Sequence, residues 1–147
     1  MIDLARATAI VDKALAHGQS LKLPPLTVAV LDGSGCLVSF KRQDGSSLLR
    51  PEIAQAKAWG ALGMGMGSRA LAQRASVQPA FISAVNSLAG GRLIPVPGGV
   101  LIRSSDKSII GAVGITGATS DQDETCAVAG IEAAGFTADT GADPAVK

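Results

Sequence analysis

Tyrosine is absent from this chain, histidine and tryptophan occur once each, and aromatic residues make up 3% of it. With a formal charge of +1, the chain has neither the stacking platform nor the basic field that nucleic-acid binding uses, so no nucleic-acid partner is expected. The single histidine, His17, excludes a multi-histidine metal centre, and no motif around it suggests a Ser-His-Asp triad, so no metal site is expected. Two cysteines, Cys36 and Cys126, show neither metal-ligand spacing nor a disulfide framework, which points to a reducing compartment. No run approaches the roughly 18 apolar residues of a membrane span, and the start lacks a basic segment followed by an apolar block. A cytoplasmic domain without membrane contact is therefore expected.

What the chain does have is aliphatic bulk and glycine. Hydrophobic residues are 47% of its 147 positions and 18 positions are glycine. The length suits one domain, residues 1–147, with a core over about 3–135 and a loosely held tail over 137–147.

Leu4, Ala7, Val11 and Leu15 recur at helical spacing, with Asp3 placed to cap the start and Gly18 to end it. Residues 26–31 (LTVAVL) and 36–41 (CLVSFK) read as two strands of a hairpin around the turn 32–35 (DGSG). Residues 42–50 form a polar connection. Pro51 opens a helix to about residue 62, Ser68 a short one to Arg74, and Pro79 a third to Leu88. Residues 99–103 (GVLIR) and 109–116 (IIGAVGIT) read as strands, and a last helix capped by Ser120 covers about 121–134. The order is α-β-β-α-α-(α)-β-β-α. Hairpins, not crossovers, join the strands, so the expected class is α+β, with a mainly antiparallel sheet flanked by helices.

Three features invite a functional reading. Alternation along 109–117 puts Ile109, Gly111, Val113 and Ile115 on one face and Ile110, Ala112, Gly114 and Thr116 on the other. The second face narrows to almost bare backbone, which serves either close helix packing or a ligand or subunit. Asp121, Asp123 and Glu124 crowd a helix start, where the dipole favours negative charge; Ser120 with Asp123 approximates a capping box. A weak cation site or an acid/base carboxylate is the other reading. Lys57 lies on an apolar stripe with Ile53, Gly60 and Met64. Its stem lies along apolar surface with the ammonium in water, or the ammonium is buried and needs a carboxylate or an anionic ligand. Asp44 is the candidate partner. The segment 63–67 (GMGMG) is no dinucleotide loop, because it follows a helix and its glycine spacing is wrong.

Several of these segments together resemble the GlcG/HbpS-like family, also described as haem-binding or DUF336 domains. They are 42–45 (RQDG), 52–58 (EIAQAKA), 65–71 (GMGSRAL), 97–100 (PGGV), 110–117 (IGAVGITG) and 122–124 (QDE). The resemblance implies a profilin-like antiparallel sheet flanked by helices and assembly into a homo-oligomer. It also implies haem, or another small anionic molecule, as ligand and partner. On the matching positions it implies Arg42, Gly98, Gly99, Thr116 and Asp123 as ligand-binding residues, and Lys57, Asp44 and Glu124 as candidates for catalysis. Two functions follow. One is an oligomeric binding protein with a pocket for an anionic ligand. The other is an isomerase, lyase or hydrolase acting on a small carboxylic acid in a catabolic pathway. In the second, Lys57 and the Gly98–Gly99 backbone hold the carboxylate or oxyanion while Asp44 or Glu124 moves protons. A third, structural reading makes Trp59 an interface anchor in an assembly without a ligand.

Overall fold

A computed structural model describes residues 1–142. Asp3 caps the first helix, α1 (Leu4–Ser20), by accepting the Arg6 backbone N–H at 2.8 Å. The helix buries Ala7, Ile10, Val11, Ala14 and Gly18, so its core stripe is rotated from the expected one and Leu4 is exposed. Two strands follow, β1 (Thr27–Asp32) and β2 (Leu37–Arg42), joined by the anticipated turn with Gly35 at φ 83°. Helices α2 (Arg50–Met64), α3 (Ser68–Val77) and α4 (Pro79–Leu88) come next, then strands β3 (Gly99–Arg103) and β4 (Ile109–Thr116), and helix α5 (Ser120–Ala133).

The tail departs from expectation. Thr137–Asp139 form a fifth strand, β5, paired antiparallel with β3, and Arg103 Nε donates to Asp139 Oδ2 at 2.8 Å. A backbone ladder and an ion pair hold a segment whose sequence shows no apolar run. Of the tail expected to be loose, residues 143–147 lie outside the described residues.

The sheet order is β2-β1-β4-β3-β5, antiparallel throughout. Helices α1 and α5 cover one face, where Val28, Val30, Val100, Ile102, Val113 and Ile115 make the main core. Helix α2 covers the other face through Ala58 and Ala61 against Leu31, Leu101 and Ala112. The result is a three-layer α+β arrangement. The expected alternation holds from Gly111 onward but reverses before it. A bulge leaves Ile110 unpaired between Ile102↔Gly111 and Arg103↔Ile109, so Ile110 joins the α1/α5 core and Ile109 the α2 side.

Gly114 of β4 and Gly99 of β3 are explained by α2. A Cβ on Gly114 would overlap the Ala54 carbonyl oxygen, and one on Gly99 would overlap that of Lys57. Gly114 pairs with Ala29 on one side and Gly99 on the other. This strip of small residues runs across three strands and lets an alanine-rich helix rest on sheet backbone. Of the two readings of that strip, helix packing is the one realised.

Candidate functional site

Lys57 is buried, at 3% relative exposure. Its Nζ donates to the Ile115 carbonyl at 2.9 Å and to Asp123 Oδ2 at 3.2 Å. Asp123 is equally buried, and its Oδ1 accepts the Ala118 N–H at 3.0 Å. The expected partner, Asp44, is instead exposed. The correction has a simple cause: α2 and α5 lie on opposite faces of the sheet, and the lysine stem spans the gap between them near the end of β4. Burial lowers the Lys57 pKa, with Asp123 opposing and Arg50 reinforcing the shift. Burial likewise raises that of Asp123 against the pull of Lys57, the Ala118 N–H and Arg50.

The glycines expected to hold an anion serve this pair. Gly98 stands at φ 122°, and a Cβ there would lie 2.8 Å from Lys57 Nζ. The Gly99 N–H donates to Ser68 Oγ at 2.7 Å, and the Gly98 carbonyl accepts from Ile115. The lysine itself therefore fills the space that the sequence left beside residues 98 and 99. Thr116, buried at the end of β4, accepts from Arg50 Nη1 at 2.6 Å.

The acidic cluster is answered from within the chain. Arg69 of α3 binds Glu124 through Nε at 3.0 Å and reaches Asp121 through Nη2. These contacts raise the guanidinium pKa, the Glu124 hydrogen bond first. With Asp123 turned inward to Lys57, no acid of the three is left for a cation, and Glu124 is tied to an arginine. The helix cap also sits one residue earlier than expected. Thr119, not Ser120, is the cap, in a reciprocal box with Gln122. Likewise α3 is capped by Gly67 without a side-chain bond, because Ser68 is spent on Gly99.

Arg42 and Asp44 border a different feature, an open groove of about 650 Å³ whose other walls include Leu15, Leu23, Pro25 and Lys41. The candidate residues thus separate into a sealed pair with its glycines, a groove at the β2 end and an arginine-bound carboxylate. Sequence reasoning passed over the surroundings of Trp59 as a ligand site. The indole borders three depressions, and the Arg92 guanidinium lies 3.8 Å from its ring centroid. One of the three is an apolar cleft of about 260 Å³ between α2 and α4, lined by Trp59, Gly60, Met64, Val85, Leu88 and Leu93. A lone tryptophan on the polar side of a helix was the available signal. The arginine that covers it is 33 positions away and nothing local marks it.

Among the described residues no helix is long and apolar enough to cross a membrane. The fold is shared with several solved structures. PduOC, crystallised as a haem complex, is 25% identical over 92% of this chain and 96% of its own, with a TM-score of 0.82. The Klebsiella pneumoniae protein ORFY, a DUF336 protein, is 25% identical over 91% of this chain and 90% of its own, at 0.80. HbpS, at 24% identity over 90% of this chain and 89% of its own, shares the fold at 0.78. No curated protein matches the sequence significantly. The family model described as haem degrading protein HbpS-like matches residues 2–132, and the chain accordingly belongs to the HbpS-like family.

Proposed function

We propose that this is a small-molecule-binding protein whose ligand is haem, taken up in the cleft between α2 and α4 of a homo-oligomer. The observation that carries the reading is the chemistry gathered in and beside that cleft. It has aliphatic walls, one aromatic face in Trp59, a thioether in Met64 and a guanidinium in Arg92 stacked on the indole. A porphyrin needs apolar cover, its iron accepts a thioether, and its propionates pair with arginine. The residue chemistry suits the group, and since a cleft of about 260 Å³ holds only part of a porphyrin, a second copy would supply the remaining walls. Met64 would offer its thioether to the iron and Arg92 its guanidinium to a propionate, while bound haem supplies the redox-active metal. The haem complex of PduOC, a structural neighbour over most of both chains, supports the reading.

Assembly completes it. Helix α4 (PAFISAVNSL) carries no charged residue yet buries only Ile82, leaving Phe81 and Leu88 exposed. An apolar helix open to water is a surface awaiting cover, and a second copy is the proposed cover. The two free cysteines, one of them exposed, support a reducing, cytoplasmic setting. Lys57, Asp123, Gly98 and Gly99 hold the frame behind the site instead of touching ligand, because the amine is sealed and doubly bonded.

Titration of the purified protein with hemin tests the proposal. A saturable Soret shift at micromolar protein is expected. Met64→Leu should alter the spectrum, and Trp59→Ala should weaken binding by about tenfold, the equivalent of one lost aromatic anchor. Absence of a saturable shift, or identical spectra and affinity in both variants, would remove this cleft from the account.

A further inference from the structure

The cross-strand register sets three polar side chains in one row on the α2 face of the sheet. Thr27 stands directly opposite Arg42 on β2 and opposite Thr116 on β4. Directly paired residues project to the same side. The hydroxyl in the middle of the row, Thr27 Oγ1, is fully buried and has no hydrogen-bond partner among the described residues. Buried hydroxyls are ordinarily bonded, so an orphan between two polar neighbours needs an explanation.

The charges around it are unbalanced in one direction. Arg50, at the start of α2, gives Nη1 to Thr116 and Nε to Ser47 Oγ, while the exposed Arg42 guanidinium donates to the Ser46 carbonyl. Among the described residues neither arginine has a carboxylate partner, whereas Arg6, Lys41, Lys57 and Arg103 each have one and Arg69 has two. The acid that feels Arg50, Asp123, is committed to Lys57. Glu52 and Asp44 are exposed, and although Asp44 shares a groove with Arg42, neither acid is paired with Arg42 or Arg50. No side chain caps the start of α2, a helix of 15 residues, so its positive end adds to the same excess.

We infer that the N-terminal end of α2 is a binding site for a small carboxylic acid, held by Arg42 and Arg50 with the hydroxyls of Thr27 and Thr116. A guanidinium presents a planar fork that matches a planar two-oxygen anion. Thr116, already an acceptor from Arg50, keeps its own hydrogen to donate, and Thr27 has one free as well. Because the threonines are buried and the arginines are not, the anion meets the guanidinia first and takes the hydroxyl bonds as Arg42 leaves the Ser46 carbonyl. This site is separate from the cleft at Trp59 and does not depend on haem being the ligand there.

The full-length chain, isotope-labelled and titrated with sodium acetate at ionic strength held constant with chloride, provides the test. Saturable shifts in the Thr27 and Thr116 amides and in the Arg42 and Arg50 Nε–H signals are expected. Thr27→Val, which keeps shape and removes the hydroxyl, should weaken acetate binding by about tenfold, as should Arg50→Met. Thr27→Val should leave the hemin titration unchanged, so failure of the haem reading and failure of this one are told apart. A Thr27→Val protein that gains thermal stability and binds acetate as before would show an ordinary buried hydroxyl and overturn the proposal. So would inorganic phosphate binding as tightly as acetate, or shifts that never saturate at these residues.

Discussion

Taking away either member of the Lys57–Asp123 pair leaves the other as an uncompensated charge in the interior. Lys57→Met or Asp123→Asn is therefore expected to cost about 3–5 kcal/mol, read from the urea unfolding midpoint. The double variant Lys57→Met/Asp123→Leu should recover most of that loss, because desolvating two ions offsets much of what their attraction returns. A double variant that loses the sum of the two single losses would mean that the pair is not coupled. Cysteine chemistry is decided at the same scale. Burial, and then the nearby Asp123, push the Cys126 thiol from 9.0 up to about 11. A raised pKa in the folded state means that the native chain holds its proton longer than the unfolded one. Its contribution to stability is full below pH 9.0 and is lost as pH rises through about 11. At pH 8 a thiol reagent should find one reactive cysteine per chain, the exposed Cys36, and two after denaturation in urea.

Between elements, the decisive contact is α2 on the sheet. Gly114→Ala puts a methyl group against the Ala54 carbonyl, a backbone atom with no freedom to turn aside. Such overpacking should cost about 3 kcal/mol or more in chemical denaturation. Gly63, inside the same helix, is the contrast: a methyl group there would meet nothing within 4 Å. Gly63→Ala should raise stability by about 0.5–1 kcal/mol through reduced unfolded-state freedom. Gly114→Ala with native stability would require a looser helix-sheet interface than the one described. The α5 start shows how neighbouring elements select among local signals. Residues 119–124 (TSDQDE) offer overlapping capping patterns, and Asp123 is drawn away to Lys57, which leaves Thr119 and Gln122 to close the box.

For the molecule as a whole, the exposed apolar side of α4 sets the expectation. Sedimentation should give a mass that is a multiple of the 14.7 kDa chain. Leu88→Glu, at a side chain 89% exposed in the single chain, should shift that mass toward the protomer without loss of helical signal. A wild-type protein sedimenting at protomer mass would remove the second copy as the cover of α4.

Period, turn chemistry and breakers in the chain itself determined most of the elements. These include the Asp3 cap, the 32–35 hairpin turn, Pro79 opening α4 and the bare face of β4. They are legible because each is written within a few neighbouring residues. Tertiary structure alone decided the rest. It brought Lys57 to Asp123, 66 positions apart, and not to the nearer Asp44. It turned Ile110 over through a bulge, recruited residues 137–139 to an edge, and stacked Arg92 on Trp59. Local sequence sets which way a side chain points along its own helix or strand. Which charge ends up beside it depends on how the layers are stacked, and burial then makes that one pairing obligatory.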